Sequence, residues 1–135
     1  MLLTVLAFVL TSPAFHVGAR IPVKYTCDGT NVSPELHWTA PPKGTRSFTL
    51  KVVDVDAPGG KLVHWTAAGI PASARGLRSG QHAPKEGLNG AGTRGYTGPC
   101  PPPGLPHRYF FTLTAIGAHG KPIAHATLIG KYQRG

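Results

Sequence analysis

Glycine and proline leave this chain little room for helices. They fill almost a quarter of it, 18 Gly and 14 Pro in 135 residues, and both weaken helix interiors and concentrate in turns. Between them lie short segments in which apolar and polar residues alternate. That pattern predicts short strands joined by turns, and hence an all-β sandwich or barrel with few short helices at most. A content of 41% apolar residues predicts a folded core rather than a disordered, turn-rich chain. The length allows one such core and is too short for two ordinary ones. Residues 1–135 are therefore expected to form a single domain, and the sequence holds no internal repeat or linker.

The period-2 runs place the strands. Leu2 to Val9 reads as a first strand, Phe15 to Tyr25 as a short edge strand with a turn, and Leu36 and Trp38 share one face of another. From Arg46 to Val55, Phe48, Leu50 and Val52 alternate with Ser47, Thr49 and Lys51. Leu62 to Ala68 is the next strand, and a break is expected at Gly69-Ile70-Pro71-Ala72. Ser73 to Gly98 carries seven glycines and almost no apolar period, so it is expected to be a functional loop or a disordered one. It lacks the Gly-Lys-Ser/Thr and following helix of a phosphate loop. His107 to Ile116 has the clearest alternation of all, with His107, Tyr109, Phe111, Leu113 and Ala115 on one face. Ala124 to Tyr132 is expected to be the last strand.

Chemistry gathers at the strand ends. If the first long alternation continues, Asp54 and Asp56 fall on the apolar face of their strand. Carboxylates there are costly to desolvate unless something compensates them, and the chain has only five acidic residues. Ala57-Pro58-Gly59-Gly60 forces a turn that brings His64 back towards them. His107 begins the apolar face of its own strand. Should the two strands be antiparallel neighbours, Asp54, Asp56, His64 and His107 would line one pocket with Tyr109.

The formal net charge of +9 favours acidic partners and leaves peripheral contact with an anionic membrane open. The Lys and Arg residues are scattered, not clustered on one face or interleaved with aromatics, which argues against specific nucleic-acid recognition. Cys27 and Cys100 could pair or could both be buried thiols. The apolar start lacks a basic n-region and is too short to span a bilayer, which needs about 20 residues. A cytoplasmic protein is expected on that ground, with a periplasmic or secreted one as the alternative.

Read together, Asp54-Val55-Asp56-Ala57-Pro58, His64-Trp65, Gly98-Pro99-Cys100-Pro101-Pro102-Pro103-Gly104 and His107-Arg108-Tyr109 resemble the phosphatidylethanolamine-binding protein family, in its prokaryotic Raf-kinase-inhibitor-like branch. Ser12-Pro13-Ala14-Phe15, Ile21 to Gly29, Ser33 to Leu36 with Trp38, Pro42 to Phe48 and Gly95-Tyr96 fit the same branch. The resemblance implies a β-sandwich-like fold with a large central antiparallel sheet and a small pocket for phosphate, phosphate-bearing head groups or similar anions. It assigns Asp54, Asp56, His64, His107 and Tyr109 to that pocket, and Pro99 to Pro102, with Cys100, to one of its walls. It also implies a lipid- or nucleotide-binding protein or a kinase or protease inhibitor, with a homodimer among the assemblies to consider. No catalysis, cofactor or metal is expected.

Cys27 and Cys100 recur together in that branch, so the resemblance suggests a disulfide, which needs Cα atoms within about 7 Å. Three departures stand out. Val55 replaces a proline, Ala91 replaces an aromatic, and only Gly117 to Pro122 joins the last two strands, where the family carries a helical excursion.

Three other readings of the same residues compete. A hydrolase would use Cys100 as nucleophile and His107 as base. A metal-binding protein would use the two His and two Asp residues, which suit zinc. An inhibitor would act through protein contact alone. The remaining histidines, His16, His37, His82, His119 and His125, are expected at the surface or in packing, and Trp38 and Trp65 in the core. On the anion-pocket reading, binding should strengthen as the histidines protonate near pH 6.5.

Overall fold

The structure is a computed structural model that describes residues 7–135. Its strands are β1 (Leu10–Thr11), β2 (Leu36–Trp38), β3 (Ser47–Asp54), β4 (Leu62–Pro71), β5 (Gly76–Leu77), β6 (His107–Ile116) and β7 (Pro122–Tyr132). Single 3-10 turns at Val23–Tyr25 and Ala118–Gly120 are the only helical segments among the described residues. No helix there is long and apolar enough to cross a membrane.

Two antiparallel sheets form, one in the order β4-β3-β6-β7 and a smaller one in the order β1-β2-β5. The expected all-β architecture with a large central antiparallel sheet is thus observed. Alternation decides which side chains fill the space between the sheets. Phe48, Leu50 and Val52 of β3, Tyr109, Phe111, Leu113 and Ala115 of β6, and Ala126, Leu128 and Tyr132 of β7 are all buried. Trp38 from the small sheet packs edge-on against Phe48 with ring centroids 5.6 Å apart, and Phe15 meets Phe111 at 5.7 Å. Both tryptophans are core residues, as expected, and the five histidines set aside are exposed.

Several expectations need correction. The expected first strand, Leu2 to Val9, falls largely outside the described residues; Ala7 to Val9 are not in a strand, and β1 begins at Leu10. Phe15 to Tyr25 is an irregular segment, not an edge strand. Gly18, Pro22 and a 3-10 turn interrupt it, and it meets the edge of β7 through the Gly18 bond to Ile129 and the bonds of Ala19 and Ile21 with Lys131. The predicted break at Gly69 is a bulge inside β4, where the register slips between the Phe48 and Leu50 pairings and Gly69 adopts φ +66°. Glycine tolerates that backbone, so the strand runs on to Pro71.

The glycine-rich stretch has a role that its lack of period conceals. Ala68 N–H donates to the Pro84 carbonyl, Gly87 N–H to Thr66, Gly90 N–H to Val63 and Thr97 N–H to His64. The loop therefore runs along the outer edge of β4 and satisfies backbone groups that an edge strand would leave open. Close approach is what demands glycine here: a Cβ at Gly90 would run into the Leu62 side chain.

Candidate functional site

Asp54 is the last residue of β3 and pairs with Tyr109 near the start of β6. The antiparallel alignment therefore brings the two chemically loaded strand ends together. Asp54 is 2% exposed and does not stand bare. Its Oδ2 accepts a hydrogen bond from His107 Nδ1 at 2.6 Å, and its Oδ1 accepts one from the Asp56 N–H at 2.8 Å. This compensates a carboxylate at the end of an apolar face and fixes the His107 ring.

His64 reaches the same place through an irregularity. Val52 pairs with Trp65 but Val53 pairs with Val63, so His64 is an extra residue in β4. A bulge of this kind re-aims a side chain. The result is that both His64 and Trp65 are buried although they are consecutive. His64 Nδ1 donates to the Thr97 carbonyl at 2.8 Å, and its ring meets the Tyr109 ring edge-on with centroids 5.2 Å apart. Burial pushes the His64 pKa below its ordinary value of 6.5, against the pull of the Thr97 carbonyl and the Asp54 charge. The expected gain in binding therefore moves to lower pH than the unperturbed value suggests. Its Nε2 is buried with no hydrogen-bond partner among the described residues, and so is the Tyr109 hydroxyl. Burial, with the Asp54 charge beside it, raises the Tyr109 pKa well beyond the phenolic range.

His64 borders a cavity of about 150 Å³. Asp54, His64 and His107 form its polar side. Ala57, Pro58 and Leu62 close it from the β3–β4 connection, Gly90 and Ala91 from the glycine-rich loop, and Thr97, Gly98, Cys100, Pro101 and Pro102 from the proline-rich segment. The volume suits a small ion or head group rather than the 300–1,000 Å³ of typical drug-sized sites.

The proline wall is held from behind. Cys100 is bonded to Cys27, with Cα atoms 5.4 Å apart. Cys27 N–H donates to the Pro99 carbonyl at 3.1 Å, and Gly98 N–H donates to Asn31 Oδ1 at 2.8 Å. Asp28, beside Cys27, takes a hydrogen bond from the Tyr132 hydroxyl at 2.6 Å and an ion pair from Arg134 at 3.0 Å.

Of the residues expected at the site, Asp54, His64, Cys100, Pro101, Pro102 and His107 line the cavity. Tyr109 lies against His64 without lining it, and Pro99 stands behind the wall as a backbone acceptor. Asp56 is not in the pocket. The strand ends at Asp54, and the turn that starts there gives the Asp56 carboxylate to Arg108. The guanidinium binds it through two hydrogen bonds of 2.9 Å, and the Arg108 N–H adds one of 2.8 Å. Those bonds hold the Asp56 carboxyl at about 2, below its ordinary 3.8. The backbone N–H groups of Gly90, Ala91 and Gly98 around the cavity already have acceptors in the protein.

The disulfide occupies the thiol that the hydrolase reading requires. Among the described residues no group of three or more His, Cys, Asp or Glu side chains is placed to hold a metal ion. Thr97 and Asn31 were invisible as site residues from sequence, since one acts through its backbone carbonyl and the other supports the wall from a distant loop.

The fold and site together define a two-sheet β protein with a small histidine-lined cavity at one end of its larger sheet. Residues 11–132 match the phosphatidylethanolamine-binding protein family, and the chain belongs to that family. It is 39% identical to a UPF0098 protein of Methanothermobacter thermautotrophicus, covering 93% of this chain and 99% of the relative. That alignment spans 152 positions against 135 residues here, so it includes positions that this chain lacks. The chain is also 44% identical to the putative lipoprotein LppC of Mycobacterium tuberculosis over 77% of its own length and 53% of LppC. Among solved structures it resembles the phosphatidylethanolamine-binding protein homologue CT736 of Chlamydia trachomatis, with TM-score 0.88, 34% identity and coverage of 96% and 99% of the two chains. E. coli YbcL, described as a member of the mammalian family, gives TM-score 0.87 at 30% identity, with coverage of 95% and 99%.

Proposed function

We propose that this protein binds small oxyanions, phosphate and free phosphate-bearing head groups in particular, in the cavity between His64, His107 and the proline wall. The observation that carries this reading is the His64 ring: 3% exposed, anchored through Nδ1, with a buried Nε2 that no described residue satisfies. A buried polar atom without a partner is costly, so its place beside a cavity favours a ligand. The surplus of +9 charges draws anions towards the molecule. Asp54 does not oppose this, because its oxygens face His107 and the Asp56 backbone.

Phosphate titrated calorimetrically into wild type, His64→Ala and His16→Ala tests the reading. Loss of a hydrogen bond to a charged ligand is worth about 1.5–3 kcal/mol, so His64→Ala should bind roughly ten- to a hundredfold more weakly while His16→Ala is unchanged. Equal affinities for all three proteins would overturn it.

The Cys27–Cys100 disulfide supports a working place outside a reducing cytosol, the periplasmic or secreted alternative, because cytosolic thiols of most organisms are kept reduced. The similarity to a relative described as a lipoprotein supports the same placement. Free-thiol counting on protein taken from its native compartment tests it, and two free thiols would overturn it.

A further inference from the structure

We infer that the cavity selects oxyanions that carry a proton of their own, hydrogen phosphate and the monoanion form of phosphomonoesters, over aprotic oxyanions of similar size such as sulfate and phosphodiesters. The inference rests on the oxyanion reading and specifies which oxyanion.

The argument starts from tautomers. A backbone carbonyl can only accept, so the 2.8 Å contact with Thr97 O puts a proton on His64 Nδ1. A neutral imidazole has one N–H, and its Nε2 is then a lone pair. His64, in its neutral form, therefore offers the cavity an acceptor, not a donor. An oxyanion without hydrogen meets lone pair with lone pair, whereas hydrogen phosphate can donate to the ring. A site built to hydrogen-bond one group rejects the analogue that lacks it, because its buried polar atom stays unpaired.

Protonating His64 would turn Nε2 into a donor, and burial opposes this. The groups that face the ring are few. From β3 there is Asp54, whose charge favours the protonated ring; from β6 there are His107, which opposes it when charged, and the edge-on Tyr109 ring. The loop contributes the Thr97 carbonyl and the Gly98 backbone, both of which favour the protonated ring, and Cys100 is held in a disulfide that does not titrate. Asp56 and Arg108 neutralise each other outside the cavity lining.

Calorimetric titrations of the full chain with inorganic phosphate, methyl phosphate, dimethyl phosphate and sulfate, each at pH 7.5 and pH 5.5, test the inference. At pH 7.5 phosphate should bind at least tenfold more tightly than sulfate and dimethyl phosphate. Methyl phosphate loses its last proton near pH 6, so its affinity should rise at pH 5.5, which separates a monoester from free phosphate as the ligand. The sulfate deficit should narrow at pH 5.5 as the ring begins to protonate. In His64→Gln, whose amide can turn a donor to the ligand, phosphate and sulfate should bind within about threefold of each other. Equal binding of phosphate and sulfate by the wild type at pH 7.5 would overturn the selection and leave the oxyanion reading standing. Absence of binding by all four anions would overturn both. The wild-type comparison decides the matter even if His64→Gln does not fold.

Discussion

Breaking the Cys27–Cys100 bridge should cost this domain a large part of its stability. The two residues are 73 apart in sequence, so the bridge closes a long loop in the unfolded chain. In the chain-entropy treatment a loop of that length is worth about 4.4 kcal/mol at 25 °C. The native state gives little of this back. The backbone bond from Cys27 to Pro99 and the Gly98 bond to the Asn31 side chain hold the same two segments together without the sulfur link. A domain of this kind is stable by roughly 5–15 kcal/mol in all, so the reduced protein should stay folded but near the lower limit. Urea unfolding of wild type and of the double variant Cys27→Ser with Cys100→Ser measures the effect. With a slope of about 2 kcal/mol/M, the midpoint should fall by about 2 M. A fall of less than about 0.5 M would refute the reasoning, since it would mean that the unfolded chain gains no freedom from the cut. Wild type in dithiothreitol should match the serine variant.

Two further outcomes follow from the buried end of the larger sheet. Tyr109→Phe removes a buried hydroxyl that has no hydrogen-bond partner among the described residues, so thermal stability should hold or rise by about 1 kcal/mol, a midpoint increase of roughly 3 °C; a clear decrease in a melting scan would show that the hydroxyl is satisfied. His64 has a native pKa below 6.5, so the unfolded chain binds its proton first. Stability should be full above pH 6.5 and decline as pH falls from there towards the lowered native value. His64→Asn should flatten that part of the profile in urea midpoints measured from pH 7.5 to 5, and an unchanged slope would count against the burial effect.

Much of the fold was legible because strand patterns are local. In β3, β6 and β7 the apolar side chains recur every second residue, and each buried position could be read without knowing the partner strand. The meeting of Asp54 with His107 was also accessible, since it needs only that β3 and β6 run antiparallel with those residues at adjoining ends. Composition excluded long helices, because so much glycine and proline leaves no interior for them.

What the chain alone did not decide are the places where pairing between distant segments overrides the local period. The bulge that buries His64 beside Trp65 is a mismatch of length between β3 and β4, which neither strand carries by itself. Asp56 continues the alternation of β3 on paper, yet the strand ends one pair earlier, and Arg108 from β6 captures the carboxylate. The glycine-rich loop has no period because its bonds to β4 are made through backbone groups, which any residue possesses. Whether Cys27 and Cys100 lie within bonding reach depended on where two loops come to rest across the molecule. Side-chain alternation is encoded residue by residue, whereas register, strand ends and loop contacts exist only once the sheet has closed.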